Sequence, residues 1–200
     1  NAGANKDSRN TIGYSPLHLA AAYNQYTAAV KLKEKGANIN TVDSNGDTPL
    51  HVAIQKDCEE IMKCLAQAGA DLDCKNNLRL TPIDLASQTG HLNYVQQIFS
   101  VVGTAVNEIG TDGCTHLHRA VKHGDLNLIK ILLDLRANVN VKEENIFLKD
   151  NFDFIQKIFS PSRPNTMLNA GHGRTPLHIA IEQGEIAIVQ HLIAAGANKS

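Results

Sequence analysis

No run of eighteen apolar residues occurs in this chain of 200 residues, so it carries no candidate transmembrane helix. The first residues, Asn1 to Lys6, lack the basic-then-apolar order of a secretory signal. An excess of one charge is missing too. Lys and Arg number 19, Asp and Glu 20, for a formal charge of −1. Such a balance gives no gross field for nucleic acid or an anionic membrane. There are only four cysteines, Cys58, Cys64, Cys74 and Cys114. Their spacing fits neither a zinc site nor a disulfide framework, so they read as free thiols of a reducing, cytoplasmic compartment. Motifs that carry chemistry are absent. No Ser or Cys stands in a Gly-x-Ser-x-Gly elbow. Gly171-His172-Gly173-Arg174 reads as a turn and not as a phosphate loop. Cys114, His116, His118 and His123 fall close together but not at zinc spacing, and they are assigned structural and surface roles. No catalytic residue, cofactor or metal is expected.

What the chain does have is a repeat. Thr48-Pro49-Leu50-His51-Val52-Ala53 returns as Ser15 to Ala20, Thr81 to Ala86, Thr115 to Ala120 and Thr175 to Ala180. Pro16, Pro49 and Pro82 are 33 residues apart, His116 follows after 34, and Pro176 after 60. A fixed period of this size marks a row of small units sharing an elongated core. Each unit reads the same way. Asp43 to Gly46 make a turn in which Gly46 takes a positive φ. Thr48 caps a helix whose first residue is Pro49. Leu50, Ala53 and Ile54 form an apolar stripe. A second helix from Glu60 to Gln67 turns Ile61, Met62, Cys64 and Leu65 inward and stops before Gly69. Neither helix is long enough to stand alone in water, so each must bury its stripe against the neighbouring unit.

This pattern resembles the ankyrin-repeat family over residues 10–140 and 172–198. The resemblance implies an all-α solenoid of stacked helix-turn-helix units with β-turn fingers. It also implies that His18, His51, His118 and His178 tie the turns to neighbouring backbone. The expected units are 10–42, 43–75, 76–109, 110–142, a degenerate and short 143–171, and 172–200, with residues 1–9 as the end of a preceding repeat. On this reading the chain is a piece of a longer protein, which would cover the apolar last helix.

Three departures stand out. The 60-residue step leaves 27 residues for the fifth unit, six too few. Its second helix is recognisable in Asp153 to Ser160, so the shortening falls in its first helix and would leave a notch in the inner wall, either decay or a binding feature. Arg79 replaces the turn glycine, so that turn differs unless Arg79 is strained. Asp84 replaces the histidine, and its carboxylate can accept turn N–H groups.

The resemblance places partner binding on a concave face of finger tips and exposed flanks of the first helices. That face comprises Tyr14, Leu19 and Tyr23, then Asp47, Gln55 and Lys56, then Leu78, Leu80 and Gln88, and last a basic trio of Arg119, Lys122 and His123. Ile12, Asn45, Val52, Leu85, Thr89, Asp112, Cys114, His172, Arg174, Ile179, Glu182 and Gln183 map to the same side. The expected function is a monomeric scaffold for a protein or extended peptide, with no nucleic acid and no membrane insertion. The alternatives are a recognition or spacer module of a larger enzyme, an effector that a bacterium secretes into the host cytosol, or a groove filled by another part of the same chain.

Overall fold

A computed structural model of the chain describes residues 5–144 and 173–198. Every described element is helical. The helices are α1 Pro16–Ala22, α2 Tyr26–Glu34, α3 Pro49–Gln55, α4 Glu59–Gln67, α5 Pro82–Gln88 and α6 Leu92–Val102, then a 3₁₀ turn at Thr104–Asn107, and then α7 His116–Lys122, α8 Leu126–Asp134, α9 Pro176–Gln183 and α10 Ile186–Ala194. They fall into two compact units, residues 1–103 and 104–200. In the first unit α1, α3 and α5 pack side by side as an inner row, with α2, α4 and α6 behind them. In the second unit α7 packs on α9 and α8 on α10.

Each inner helix starts for one chemical reason. At α3, Thr48 is extended (ψ 165°) and its hydroxyl accepts the His51 N–H. The Thr48 N–H donates in return to His51 Nδ1 at 3.1 Å, which satisfies two orphan donors of the helix start at once. Because Nδ1 accepts, Nε2 carries the proton, and it donates to the Leu80 carbonyl of the next unit at 3.1 Å. His18 makes the same link to the Asp47 carbonyl at 2.9 Å. One side chain thus caps its own helix and fastens the neighbouring finger. Asp84 supplies the cap of its own helix, accepting the Thr81 N–H and hydroxyl at 3.1 and 2.9 Å.

Burial follows the expected stripes. Leu50, Ile54, Ile61, Met62, Leu65 and Ile83 are fully enclosed, each worth roughly 1.5–3 kcal/mol by transfer. All four cysteines are free thiols, and three of them are buried. The turns of the first unit close alike: Gly46 N–H donates to Asp43 O at 3.1 Å and Arg79 N–H to Asn76 O at 2.8 Å. Arg79 does so at φ +62°, beside Gly46 at +75°, so its turn is conserved in shape and held under strain.

The second unit departs from the expected register. His118 Nε2 donates to the Arg174 carbonyl at 3.1 Å, the carbonyl just before the cap residue Thr175, as Leu80 precedes Thr81. Glu143 N–H also donates to Arg174 O, and Gly173 N–H to Glu143 O. Asn198 N–H donates to Asn140 Oδ1 at 2.8 Å, matching the Asp71 link to Asn40 at 3.0 Å. Residues 143–144 and 173–174 therefore belong to one finger, and α7–α8 packs directly on α9–α10. The expectation of a short repeat standing between these two helix pairs is corrected accordingly. Of the interval 143–171 expected to form that repeat, residues 145–171, with the expected Asp153–Ser160 helix, lie outside the described residues.

Candidate functional site

The side of each unit made of fingers and inner helices holds most of the residues singled out above, and burial divides them. Tyr23 at the end of α1 is 72% exposed and Leu78 on the third finger 76%. Ile12 on the first finger, Gln55 and Lys56 at the end of α3, and Gln88 at the end of α5 are also exposed. Tyr14 and Leu19 are half-buried, and the Tyr14 ring stacks on His18 with centroids 5.4 Å apart. Burial and the nearby Asp43 and Asp47 push the Tyr14 phenol up. It stays neutral and offers a hydroxyl donor.

Three expected surface residues are withdrawn from solvent, and each has a physical reason. Asp47 is buried because its carboxylate accepts the Asn76 and Gln55 amides at 2.8 and 3.1 Å. Leu80 is buried just ahead of the Thr81 cap, its carbonyl taken by His51. Arg119 is 3% exposed. Asp112 grips it from two sides at 2.9 and 3.0 Å, and it also donates to the Cys114 carbonyl at 3.2 Å. Val52, Leu85, Cys114 and Ile179 are buried as well. His172 lies outside the described residues.

The basic trio of the second unit is therefore not a free cationic face. Lys122 is half-buried and donates to Glu143 at 2.9 Å and to Cys114 Sγ at 3.0 Å. Glu143 also accepts from Arg174 at 2.5 Å, and Arg174 from there reaches Glu182 at 2.9 Å. Burial works against the Glu143 charge, yet the hydrogen bonds from Arg174 and Lys122 hold its pKa below the ordinary carboxylate value. Burial likewise opposes the Lys122 charge, and Cys114 and Glu143 outweigh it. His123 is the exposed member of the trio. The sequence hid this network because Glu143 and Arg174 are 31 residues apart and only the one-finger register brings them together.

An open groove of about 510 Å³ runs between α1 and α2, floored by Pro16, Leu19, Ala20, Tyr23 and Leu32, with Lys31 and Lys35 at its edge. Its positions match Pro49, Val52 and Leu65, which are buried in the stack. The groove has no carboxylate, thiol or imidazole in its lining, and its largely apolar floor suits the binding of apolar surface.

Other titratable groups are structural. Burial lowers the pKa of His18, His51 and His118 and keeps them neutral. Burial raises the thiols of Cys58, Cys74 and Cys114, which disfavours the nucleophilic thiolate. Tyr94, whose hydroxyl donates to Asp57 at 2.5 Å, is raised by burial and by that carboxylate. Among the described residues no group of three His, Cys, Asp or Glu could hold a metal ion, and no helix is long and apolar enough to cross a membrane.

Comparison with known proteins agrees with this architecture. The family model for ankyrin repeats in three copies matches residues 2–76 and 66–143, and that for a single ankyrin repeat matches residues 172–200. The chain is 31% identical over 198 residues to the human transient receptor potential cation channel subfamily A member 1, covering 90% of this chain and 17% of that protein. It is 28% identical over 186 residues to mouse Rabankyrin-5, covering 92% of this chain and 14% of that protein. The ankyrin repeat protein YahD of Escherichia coli (strain K12) is 25% identical over 190 residues, covering 92% of this chain and 81% of the relative. The chain thus spans about a sixth of the length of the first two curated relatives it matches.

Proposed function

Because the chain belongs to the ankyrin-repeat family, whose repeats form a non-catalytic scaffold and generally mediate protein–protein interactions, we propose that it binds a partner peptide or protein domain through its fingers and inner-helix ends. The surface lies in the first unit: Tyr23, Gln55, Lys56, Leu78 and Gln88, with Tyr14 and Leu19 contributing their exposed edges. Asp47 and Leu80 support this surface from beneath. In the second unit His123 is the exposed member of the trio, and Arg119 and Lys122 hold the finger.

The observation that carries this reading is the exposure of Tyr23 and Leu78, 72% and 76%, in a first unit where most other large apolar side chains among the described residues pack inside. An aromatic side chain of this kind anchors interfaces, because burying it removes much apolar area while its hydroxyl keeps a partner. The net charge of −1 favours protein over nucleic acid, and the free thiols suit a reducing compartment such as the cytosol. The test is affinity capture with the wild-type chain against Tyr23→Ala and Lys56→Glu. Partners of this surface are recovered at least tenfold less with the variants; unchanged recovery of every partner refutes the assignment.

A second reading has one observation in its favour. The matched segment is 17% and 14% of the two large relatives, which fits a recognition or spacer module within a larger protein. A full-length chain without any further domain would remove that reading.

A further inference from the structure

Resting on the reading of the first unit as a binding surface, we propose that its finger tips, with Ile12 and Leu78–Arg79, form a docking edge for an extended acidic peptide bearing two apolar side chains about six residues apart. Ile12, Asn45 and Leu78 hold the same position in three successive fingers. The fingers join edge to edge, with Ser44 N–H donating to Ile12 O at 3.2 Å and Asn77 N–H to Asn45 O at 2.9 Å. Leu78 is 76% exposed and Ile12 53%, and polar Asn45 stands between them.

The spacing sets the ligand. Two helix-to-helix steps put the two anchors roughly 16–20 Å apart. An extended chain rises about 3.3 Å per residue, so that gap corresponds to about five or six residues. A peptide lying across the fingers meets an apolar tip, a polar tip and an apolar tip in turn.

Charge sets its sign. The finger carboxylates face inward: Asp43 and Asp47 are buried, and both are engaged by finger N–H or amide groups. Arg79 beside Leu78 and Arg9 near Ile12 are exposed. No described ion pair involves either. The outward charge of this edge is therefore positive.

Arg79 adds an observation of a different kind. It sits at φ +62°, where the two preceding fingers have Gly13 and Gly46. A side chain there is strained, and no described contact of the arginine offsets this. Among the described residues Asn24, Asp57 and Arg136 also have positive φ, each just after a helix, at the ends of α1, α3 and α8. Arg79 is the one of these on a finger, beside exposed Leu78, and strain retained there fits a site of function.

The test is selection of a random dodecapeptide phage library on the immobilised 200-residue chain, followed by polarization assays with the selected peptides. The expected consensus is net acidic, with two apolar residues about five or six positions apart. Leu78→Asn weakens these peptides tenfold or more. Arg79→Gly weakens them two- to fivefold while raising the thermal midpoint by a few degrees. A structural role alone would not move affinity and stability in opposite directions. A basic consensus, no consensus, or peptides that bind Leu78→Asn as tightly as wild type overturn the proposal. Peptides that lose affinity for Tyr23→Ala but not for Leu78→Asn or Arg79→Gly overturn the finger edge and leave the inner-helix surface standing.

Discussion

Replacing His51 isolates the two jobs that one imidazole performs. Its Nδ1 accepts the Thr48 N–H within its own helix start, and its Nε2–H reaches the Leu80 carbonyl of the next finger. His51 is fully buried and Leu80 nearly so, so water does not readily replace either partner. His51→Ala leaves the Thr48 N–H unmatched, while the Leu80 carbonyl loses one of two donors and keeps the Asn76 N–H at 3.0 Å. The unmatched buried N–H costs about 1–3 kcal/mol and the lost Leu80 bond about 0.5–1.5 kcal/mol, so the loss is roughly 1.5–4.5 kcal/mol, apart from the void. His51→Asn restores an acceptor near the cap, as Asp84 does naturally at Thr81, but cannot reach Leu80. It should lose about 0.5–1.5 kcal/mol, the worth of the single bond to Leu80. Urea unfolding followed by far-ultraviolet circular dichroism reads both. The expected order is wild type, then Asn, then Ala. An alanine variant within about 0.5 kcal/mol of wild type, well below the cost of a single unmatched group, would refute the reasoning, and so would an asparagine variant no better than alanine.

Two further outcomes follow from the same structure. His18, His51 and His118 have folded pKa values below the ordinary value of 6.5. Below that pH the unfolded chain binds protons that the folded chain refuses. Stability is therefore complete above pH 6.5 and falls as pH drops toward the folded values, by up to about 1.4 kcal/mol per pH unit per histidine. Urea midpoints at pH 7.5 and 5.5 should differ in that direction, less so in His51→Asn; equal midpoints would contradict the linkage. Gly46→Ala should be more destabilising than Gly90→Ala in thermal unfolding. Both positions have positive φ, but a Cβ at 46 meets the Asn77 backbone N at 3.0 Å, whereas one at 90 meets nothing within 4 Å.

The helix starts were legible because Thr-Pro and the residue three positions on from the cap act through local chemistry alone. The same holds for Asp84, whose acceptor role needs only its own turn. Arg79 posed a choice between strain and a changed turn, and sequence could not weigh one against the other. The 60-residue step misled because its excess of 27 residues resembles a damaged repeat. Matching Glu143 to Asp43 and Gly173 to Gly46 would have split one finger across the gap instead. Surface assignment failed at Asp47, Leu80 and Arg119 for a tertiary reason. Asp47 is covered by an amide from the next unit, and Arg119 is turned onto Asp112 of its own finger. A periodic pattern locates a position in the repeat, but not the partner that waits there.

Hydrogen–deuterium exchange of the chain with and without a captured partner tests the central claim most directly. The account predicts added protection at the fingers 10–14, 43–47 and 76–80 and at the ends of α1, α3 and α5. Protection confined to the outer helices α2, α4 and α6 would contradict it.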